Sequence, residues 1–394
     1  MIKTNFESIL KDKGFREKLN SGEIDLTIRN RDGYTLFLYA AESTNYVEQL
    51  GMIADYALTT VCKQTLYGYN ALAIAIQAHN YEGTAILLEK GFNPNQKDEY
   101  SPLFIASKTS VEMLKLLLHY RADVKTIQNN ENCLLYVTRK HFPNAVNLLI
   151  QNGIDLNFVN EDSKTALHVA LEENYTSIVD ILLEAGAQLY TEKEPKQLVL
   201  TGPIYHFNKE LIELLTSKYG VNVNELNDRG ETALMHFCSK GTVQEEKDYE
   251  MFNYLVSLGA DIHIKDEKGR SLMWYALQLG NVDIIHYLEQ EGLNLTESLL
   301  NNPNMFKKRT KSCISEFLYY VLNHGADINL HSLNEDGSKN YNISIQFEFP
   351  TVEMLRALEN HFDKMDPELK EEFASNRFKY LLAANGNRKE GTNR

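Results

Sequence analysis

The sequence predicts an all-α solenoid, a linear stack of helix-turn-helix units, and three observations carry that reading. First, a Gly-Ala-Asp-like turn recurs as Gly91-Phe92-Asn93, Arg121-Ala122-Asp123, Gly153-Ile154-Asp155, Gly186-Ala187-Gln188, Gly220-Val221-Asn222, Gly259-Ala260-Asp261, Gly292-Leu293-Asn294 and Gly325-Ala326-Asp327, at spacings of 30, 32, 33, 34, 39, 33 and 33 residues. A fixed period of this size means stacked supersecondary units that cover one another's apolar faces. Second, each turn follows an apolar run of helical periodicity, such as Ser177-Ile178-Val179-Asp180-Ile181-Leu182-Leu183, and the Gly suits a left-handed residue just past a helix end. Third, about 21 residues ahead of most turns stands a helix start, Thr165-Ala166-Leu167-His168-Val169-Ala170 in its fullest copy.

The other helix starts are Asn70-Ala71-Leu72-Ala73-Ile74-Ala75, Ser101-Pro102-Leu103-Phe104-Ile105-Ala106, Thr232-Ala233-Leu234-Met235-His236-Phe237 and Ser271-Leu272-Met273-Trp274-Tyr275-Ala276. A Thr, Ser or Asn opening such a run is an N-cap for the free N–H groups of the first turn, and the small Ala lets the helix sit close to its neighbours. Ahead of these, residues 5–20 are expected to form a helix with Phe6, Ile9 and Leu10 inward, and Asp32-Gly33-Tyr34-Thr35-Leu36 reads as a turn into the first such helix. Residues 191–208 lack the helix-start run, although Glu210–Leu215 still supplies a second helix. The unit beginning at Thr232 carries about six extra residues near Gly241–Asp248, expected to project as an exposed loop. Segment 296–316 again lacks the run and holds Lys307, Lys308, Arg309 and Lys311, read as a solvated loop. Beyond Asn329, the alternation of Ile343, Ile345, Phe347 and Phe349 suggests a strand or a distorted unit, Val352–Leu358 and Phe373–Leu382 read as closing helices, and the polar end from Ala383 is expected to fray.

These residues closely resemble the ankyrin repeat, with its Thr-Pro-Leu-His-x-Ala helix start, two antiparallel helices and a Gly-Ala-Asp turn. The resemblance covers roughly residues 24–330, about nine units. It implies an ankyrin-repeat solenoid with projecting β-hairpin turns, flanked by a helical cap over 1–23 and, over 331–394, by a degenerate repeat and a C-terminal helical cap. A solenoid needs such ends, because its terminal apolar faces would otherwise meet water. The resemblance also implies that His168 hydrogen-bonds backbone and ties neighbouring hairpin turns.

Composition narrows the function classes. Of 394 residues, 43% are apolar and 24% charged, which is a globular balance. Acidic residues outnumber basic ones by 54 to 40, for a net charge of −14, a poor match to a phosphate backbone. The start Met1–Glu7 has no apolar signal region, and no apolar run reaches the ~18 residues of a membrane span. Cys62, Cys133, Cys238 and Cys313 are at least 71 residues apart, so the expectation is four reduced, mainly packed thiols in a cytoplasmic compartment. No phosphate-binding loop, HExxH, GxSxG or calcium-loop pattern occurs. The histidines fall mostly at repeat-phased places; His119, His286 and His324 lie near second-helix ends, where they complement the helix dipole. No metal and no cofactor is expected.

The resemblance places binding on hairpin tips and on the concave face of the first helices. The position before each N-cap holds Tyr34, Tyr69, Tyr100, Glu131, Lys164, Glu231 and Arg270, with Tyr67 beside Tyr69. Three tyrosines in equivalent places are expected to project to one side as a ladder of rigid, amphipathic anchors. The expected function is a non-enzymatic, monomeric protein-interaction scaffold, its partner carrying a basic patch. A composition rich in Asn, Lys, Ile and Tyr, with the acidic run Glu368-Leu369-Lys370-Glu371-Glu372, suggests a bacterial effector secreted into host cytosol. Two alternatives stay open: a toxin-neutralising or inhibitory binding protein, and an enzyme with a small catalytic region in 296–394.

Overall fold

Polar residues ahead of apolar runs start the helices. Thr35, Asn70, Asn132 and Thr165 each accept the backbone N–H three residues on, at 3.4, 2.9, 2.9 and 3.3 Å, and Thr232 does the same for Met235 at 3.2 Å. Each such cap contributes about 1 kcal/mol. The fold is seen in a computed structural model that describes residues 5–61, 63–96, 101–190, 198–240, 245–279, 281–295, 331–333, 339–341, 359–360, 362–371 and 373–374. The chain divides into two compact units, Met1–Glu194 and Pro195–Arg394. The boundary falls at the stretch that lacks a helix-start run.

The first unit opens with α1 (Phe6–Leu10) and α2 (Phe15–Asn20) in place of the single helix expected over 5–20. Asp12 accepts the Gly14 N–H at 2.7 Å, which turns the chain between them. Phe6 and Leu10 are buried as expected, together with Phe15 and Leu19, whereas Ile9 is half-buried. Helix pairs follow: α3 (Leu36–Glu42) and α4 (Val47–Val61), α5 (Ala71–Gln77) and α6 (Tyr81–Glu89), α7 (Pro102–Thr109) and α8 (Val111–His119), α9 (Cys133–Arg139) and α10 (Pro143–Gln151), α11 (Ala166–Glu172) and α12 (Thr176–Glu184). First helices pack in sequence, α3 on α5, α5 on α7, α7 on α9 and α9 on α11, and α10 lies between α8 and α12. A helix flanked on both sides and backed by its own partner is apolar all round. In α5, Ala71 through Ile76 are all buried.

Two short antiparallel hairpins project from this unit, β1 (Thr65–Leu66) with β2 (Tyr69–Asn70) and β3 (Ile127–Gln128) with β4 (Glu131–Asn132). Asn80, the N-cap of α6, is fully buried and binds the neighbouring repeat. Its amide nitrogen donates to the Ala41 and Ser43 carbonyls at 3.0 and 3.2 Å, and its oxygen accepts the Gly83 N–H at 2.8 Å. Gly83 has no side chain for a steric reason, since a Cβ there would meet the Asn80 amide at 2.3 Å.

The second unit repeats the plan with α13 (Thr201–Tyr205), α14 (Lys209–Glu213), α15 (Ala233–Lys240), α16 (Glu245–Ser257), α17 (Leu272–Leu279) and α18 (Val282–Gln290). Helix α15 packs against α13 and α17, and α16 against α18. The expected second helix around Glu210–Leu215 is α14, which continues in π geometry over Leu214–Lys218. The extra residues after α15 are not all loop. Helix α16 begins at Glu245 and Asp248 is buried within it, so that part of the insertion lengthens a helix; residues 241–244 lie outside the described residues. Further on, β5 (His331–Leu333) pairs with β6 (Lys339–Tyr341). The basic segment 307–311, the alternating stretch 343–349 and the helix expected at 352–358 lie outside the described residues.

Cys133 and Cys238 are buried and free. Burial pushes the Cys133 thiol up to about 12 and raises that of Cys238 as well, as packed thiols behave. Cys62 and Cys313 lie outside the described residues.

Candidate partner-binding surface

The hairpins use two kinds of turn. In the longer kind, a side-chain oxygen organises the bend. Asn30 accepts the N–H groups of Asp32 and Tyr34 at 3.0 and 2.9 Å, and Asn227 does the same for Arg229 and Glu231, both at 2.9 Å. The shorter kind joins its strands through two residues, Tyr67-Gly68 or Asn129-Asn130, all with positive φ. Two-residue hairpins need that handedness to match strand twist, and Asn or Gly supplies it at least cost. Tyr67, at φ +50°, is the exception, and its ring is 79% exposed.

Among the described residues, those ahead of the N-caps do not form a projecting ladder. Tyr34 is half-buried; its hydroxyl donates to Glu42 at 2.8 Å and its ring lies edge-on to Tyr39. Burial and that carboxylate push its hydroxyl up to about 12. Glu131 pairs with Arg139 at 2.5 Å, and Lys164 with Glu172 at 2.5 Å. In all three cases the partner is eight residues on. A first helix of seven residues ends two turns above its cap, so a side chain ahead of the cap reaches along it to the last turn. Tyr69 is half-buried in β2, and Tyr100 lies outside the described residues. Of the described tyrosines singled out from the sequence, Tyr67 is the widely exposed one.

Glu231 is turned inward, and the half-buried Arg270 reaches toward it. Glu231 is buried; it accepts the Tyr275 hydroxyl at 2.9 Å and the Asn227 amide at 3.0 Å. Arg270 donates to Asp266 at 2.5 Å and reaches Glu231 at 3.4 Å, with its guanidinium 4.4 Å from the Trp274 ring centre. Tyr275 also donates to Asp266 at 2.6 Å. Burial works to raise the Asp266 carboxyl, but the hydrogen bonds from Tyr275 and Arg270 outweigh it and hold the group below its ordinary value. Glu231 is thus consumed by the join between two repeats and leaves no carboxylate for a partner.

Among the described residues, the bonds of His168 close its own helix start and no tie to a neighbouring turn is seen. The Thr165 N–H donates to Nδ1 at 3.2 Å while the His168 N–H donates to the Thr165 hydroxyl at 3.3 Å, which is a capping box. Burial holds the imidazole below its usual value, in keeping with an Nδ1 that accepts.

The phased turns carry a device that sequence reading missed. The third turn residue bends its own loop: Asn93, Asp155 and Asn222 accept the N–H two residues on, each at 2.9 Å. The residue so placed then clamps the next repeat. Asn95 donates to the Arg121 carbonyl at 3.1 Å and accepts the Asp123 N–H at 2.6 Å. Asn224 does the same to Gly259 and Asp261 at 2.8 and 2.7 Å, and Asn157 accepts the Gln188 N–H at 2.8 Å. An Asn recurring two places past the turn was the available signal. Ile28 and Ile127 were also missed; at 44% and 49% exposed, they stand on hairpin segments of the same unit as Tyr67.

Among the described residues, no group of three or more His, Cys, Asp or Glu side chains is placed to hold a metal ion, and no helix is long and apolar enough to cross a membrane.

Comparison with known proteins agrees with this architecture. Human transient receptor potential cation channel subfamily A member 1 is 23% identical over 307 residues, 66% of this chain and 27% of that protein. Ankyrin repeat protein nuc-2 of Neurospora crassa is 26% identical over 305 residues, 73% of this chain and 27% of that protein. An ankyrin repeat protein of fowlpox virus is 31% identical over 153 residues, 39% of this chain and 34% of that protein. The chain thus spans about a third or less of the length of these relatives. A chain from the solved complex of a Bdellovibrio bacteriovorus predatory endopeptidase with an immunity protein overlays at a TM-score of 0.41 and 22% identity, over 48% of this chain and 97% of that one. The family model described as ankyrin repeats (3 copies) matches residues 40–128, 103–193 and 204–298. With well over half its length matched, and with phased turns, capped helix pairs and hairpins where that pattern requires them, the chain belongs to the ankyrin repeat family.

Proposed function

We propose that the chain is a non-enzymatic scaffold that holds a protein partner on its hairpin side, anchored in the first unit by Tyr67. Ankyrin repeats are protein-interaction modules, and repeat stacks of this kind bind along extended surfaces. The observation that carries the reading is the backbone of Tyr67. A side chain in the left-handed region costs about 1–2 kcal/mol, and the equivalent turn avoids most of that with Asn129-Asn130. Packing does not repay the cost, because the ring is 79% exposed. Strain held at an exposed aromatic is the signature of a contact made elsewhere. The net charge of −14 favours a partner with a basic patch and speeds its approach.

The test is affinity capture from the native setting with the wild-type chain and with Tyr67→Asn. The substitution relieves the turn, so the melting temperature holds or rises while the captured partner is lost. Capture that survives the substitution contradicts the reading.

The finer form of the proposal is a bacterial effector acting in host cytosol. Its support is the composition and the acidic run at 368–372, where Glu368 and Glu371 are exposed. A translocation reporter on chains with and without residues 360–394 tests it; equal delivery by both rejects that signal.

A further inference from the structure

At Lys125 and at His263 the clamp that joins neighbouring turns lacks its Asn, and a cavity opens at each. Lys125 stands where Asn95 and Asn157 stand in their repeats, and a cavity of about 420 Å³ lies there between Lys125 and the next turn at Gly153–Asp155. In the second unit, Asn224 clamps Gly259 and Asp261. The corresponding position one repeat on is His263, and a cavity of about 500 Å³ lies between it and Gly292, Leu293 and Asn294. Imidazole lacks the paired carbonyl and amide with which Asn224 meets one backbone acceptor and one donor together.

The second cavity has a distinct chemistry. Lys265, Lys268 and Arg270 line it with His263, and no Asp or Glu is among its described lining residues. That is a local reversal of sign in a chain of net charge −14. Trp274 forms part of the wall and Leu293 adds an apolar contact. Arg270 is preorganised, fixed to Asp266 at 2.5 Å and lying 4.4 Å from the Trp274 ring centre. A rigid guanidinium loses little freedom on meeting a carboxylate. The volume lies within the usual ~300–1,000 Å³ of ligand-binding clefts.

We infer that the cleft between the 263–271 hairpin and the 292–294 turn is a docking site for an acidic peptide segment of a partner protein, with carboxylates on Lys265, Lys268 and Arg270 and an apolar side chain against Trp274. An apolar wall beside cationic groups suits a peptide better than a bare anion, which gains nothing from the indole. The inference rests on the scaffold reading above but not on Tyr67, which belongs to the other unit.

Trp274 is the single tryptophan of the chain, so fluorescence excited selectively at the indole reports on this cleft. The full chain is titrated with an octapeptide of alternating glutamate and leucine, with its lysine–leucine counterpart, and with inorganic phosphate. The expected result is a saturable shift with the acidic peptide only, weakened at least tenfold by Lys265→Glu/Lys268→Glu, whose exposed side chains leave the melting temperature unchanged. Tyr67→Asn binds the peptide like wild type. No saturable change at millimolar acidic peptide, equal binding of the basic peptide, an equal effect of phosphate, or undiminished binding by the double variant each overturns the inference. If the acidic peptide fails while Tyr67→Asn still abolishes capture, only this site is lost; if both fail, the scaffold reading falls too.

Discussion

Replacing Asn80 with Ala tests how one repeat holds the next. Asn80 is fully buried and serves two helices. It caps α6 through Gly83, and its amide satisfies the Ala41 and Ser43 carbonyls at the end of α3, at 3.0 and 3.2 Å. Loss of the cap costs about 1 kcal/mol. The Ala41 carbonyl loses its side-chain donor in a buried place, for about 1–3 kcal/mol more. Ser43 is half-buried, so water replaces only part of that bond. The expected loss is about 2–4 kcal/mol, or roughly 30- to 700-fold in local opening. Ser110→Ala is the control, because Ser110 caps α8 through Met113 at 3.0 Å and, among the described residues, its side chain reaches no other repeat, and it should cost about 1 kcal/mol. Hydrogen exchange read by mass spectrometry is the suitable assay, since a repeat array need not unfold in one step. Protection should fall in α3 as well as in α6 for Asn80→Ala, and in α8 alone for Ser110→Ala. An effect of Asn80→Ala confined to α6, and no larger than the control, would refute the coupling.

Three further outcomes follow from the same contacts. Gly83→Ala should destabilise in thermal melts, although Ala is worth about 1 kcal/mol more than Gly inside a helix, because its Cβ would meet the buried Asn80 amide at 2.3–2.8 Å; a stabilised variant would mean that Asn80 can move aside. Burial holds the His168 imidazole below its unfolded value of about 6.5, so the unfolded chain takes the proton first. Its contribution to stability is full above that value and is lost as pH falls through it toward the folded value. Melting temperatures of wild type and His168→Gln should therefore converge or cross on acidification, and parallel curves would contradict an imidazole held neutral by burial. Tyr275→Phe removes the donor shared by Glu231 and Asp266 at 2.9 and 2.6 Å and should cost about 2–3 kcal/mol. Urea unfolding followed by Trp274 fluorescence measures that loss, and an unmoved midpoint would show the carboxylates satisfied by other donors.

The helix starts were legible because their causes are local: a capping side chain, an apolar period and a Gly past the end all lie within one unit. The break at Gly14 escaped because Phe6, Ile9 and Leu10 ahead of it already make a helical face, and only the Asp12 side chain decides the turn. The insertion near residue 245 read as loop because its charge hides that Asp248 goes inside. The tyrosine ladder was read from the type of residue at each position, but the lie of Tyr34 depends on Glu42 two helical turns away. Glu231 looked like a surface charge because its partners Tyr275 and Arg270 join it only when successive repeats stack, whereas the Arg270–Asp266 pair lies within one hairpin. The cleft beside Trp274 needs the turn at 292–294 as its far wall, and the missing Asn at His263 has meaning only once the Asn224 clamp is seen.

The central claim is that a partner seats on the hairpin side at Tyr67. A photo-crosslinking amino acid placed at position 67, and in a second chain at position 56 on α4, where the native Tyr56 is 46% exposed, tests it without disturbing the core. The account predicts a crosslinked partner from position 67 and none from position 56. Crosslinking from 56 alone would put the partner on the second-helix face and contradict the account.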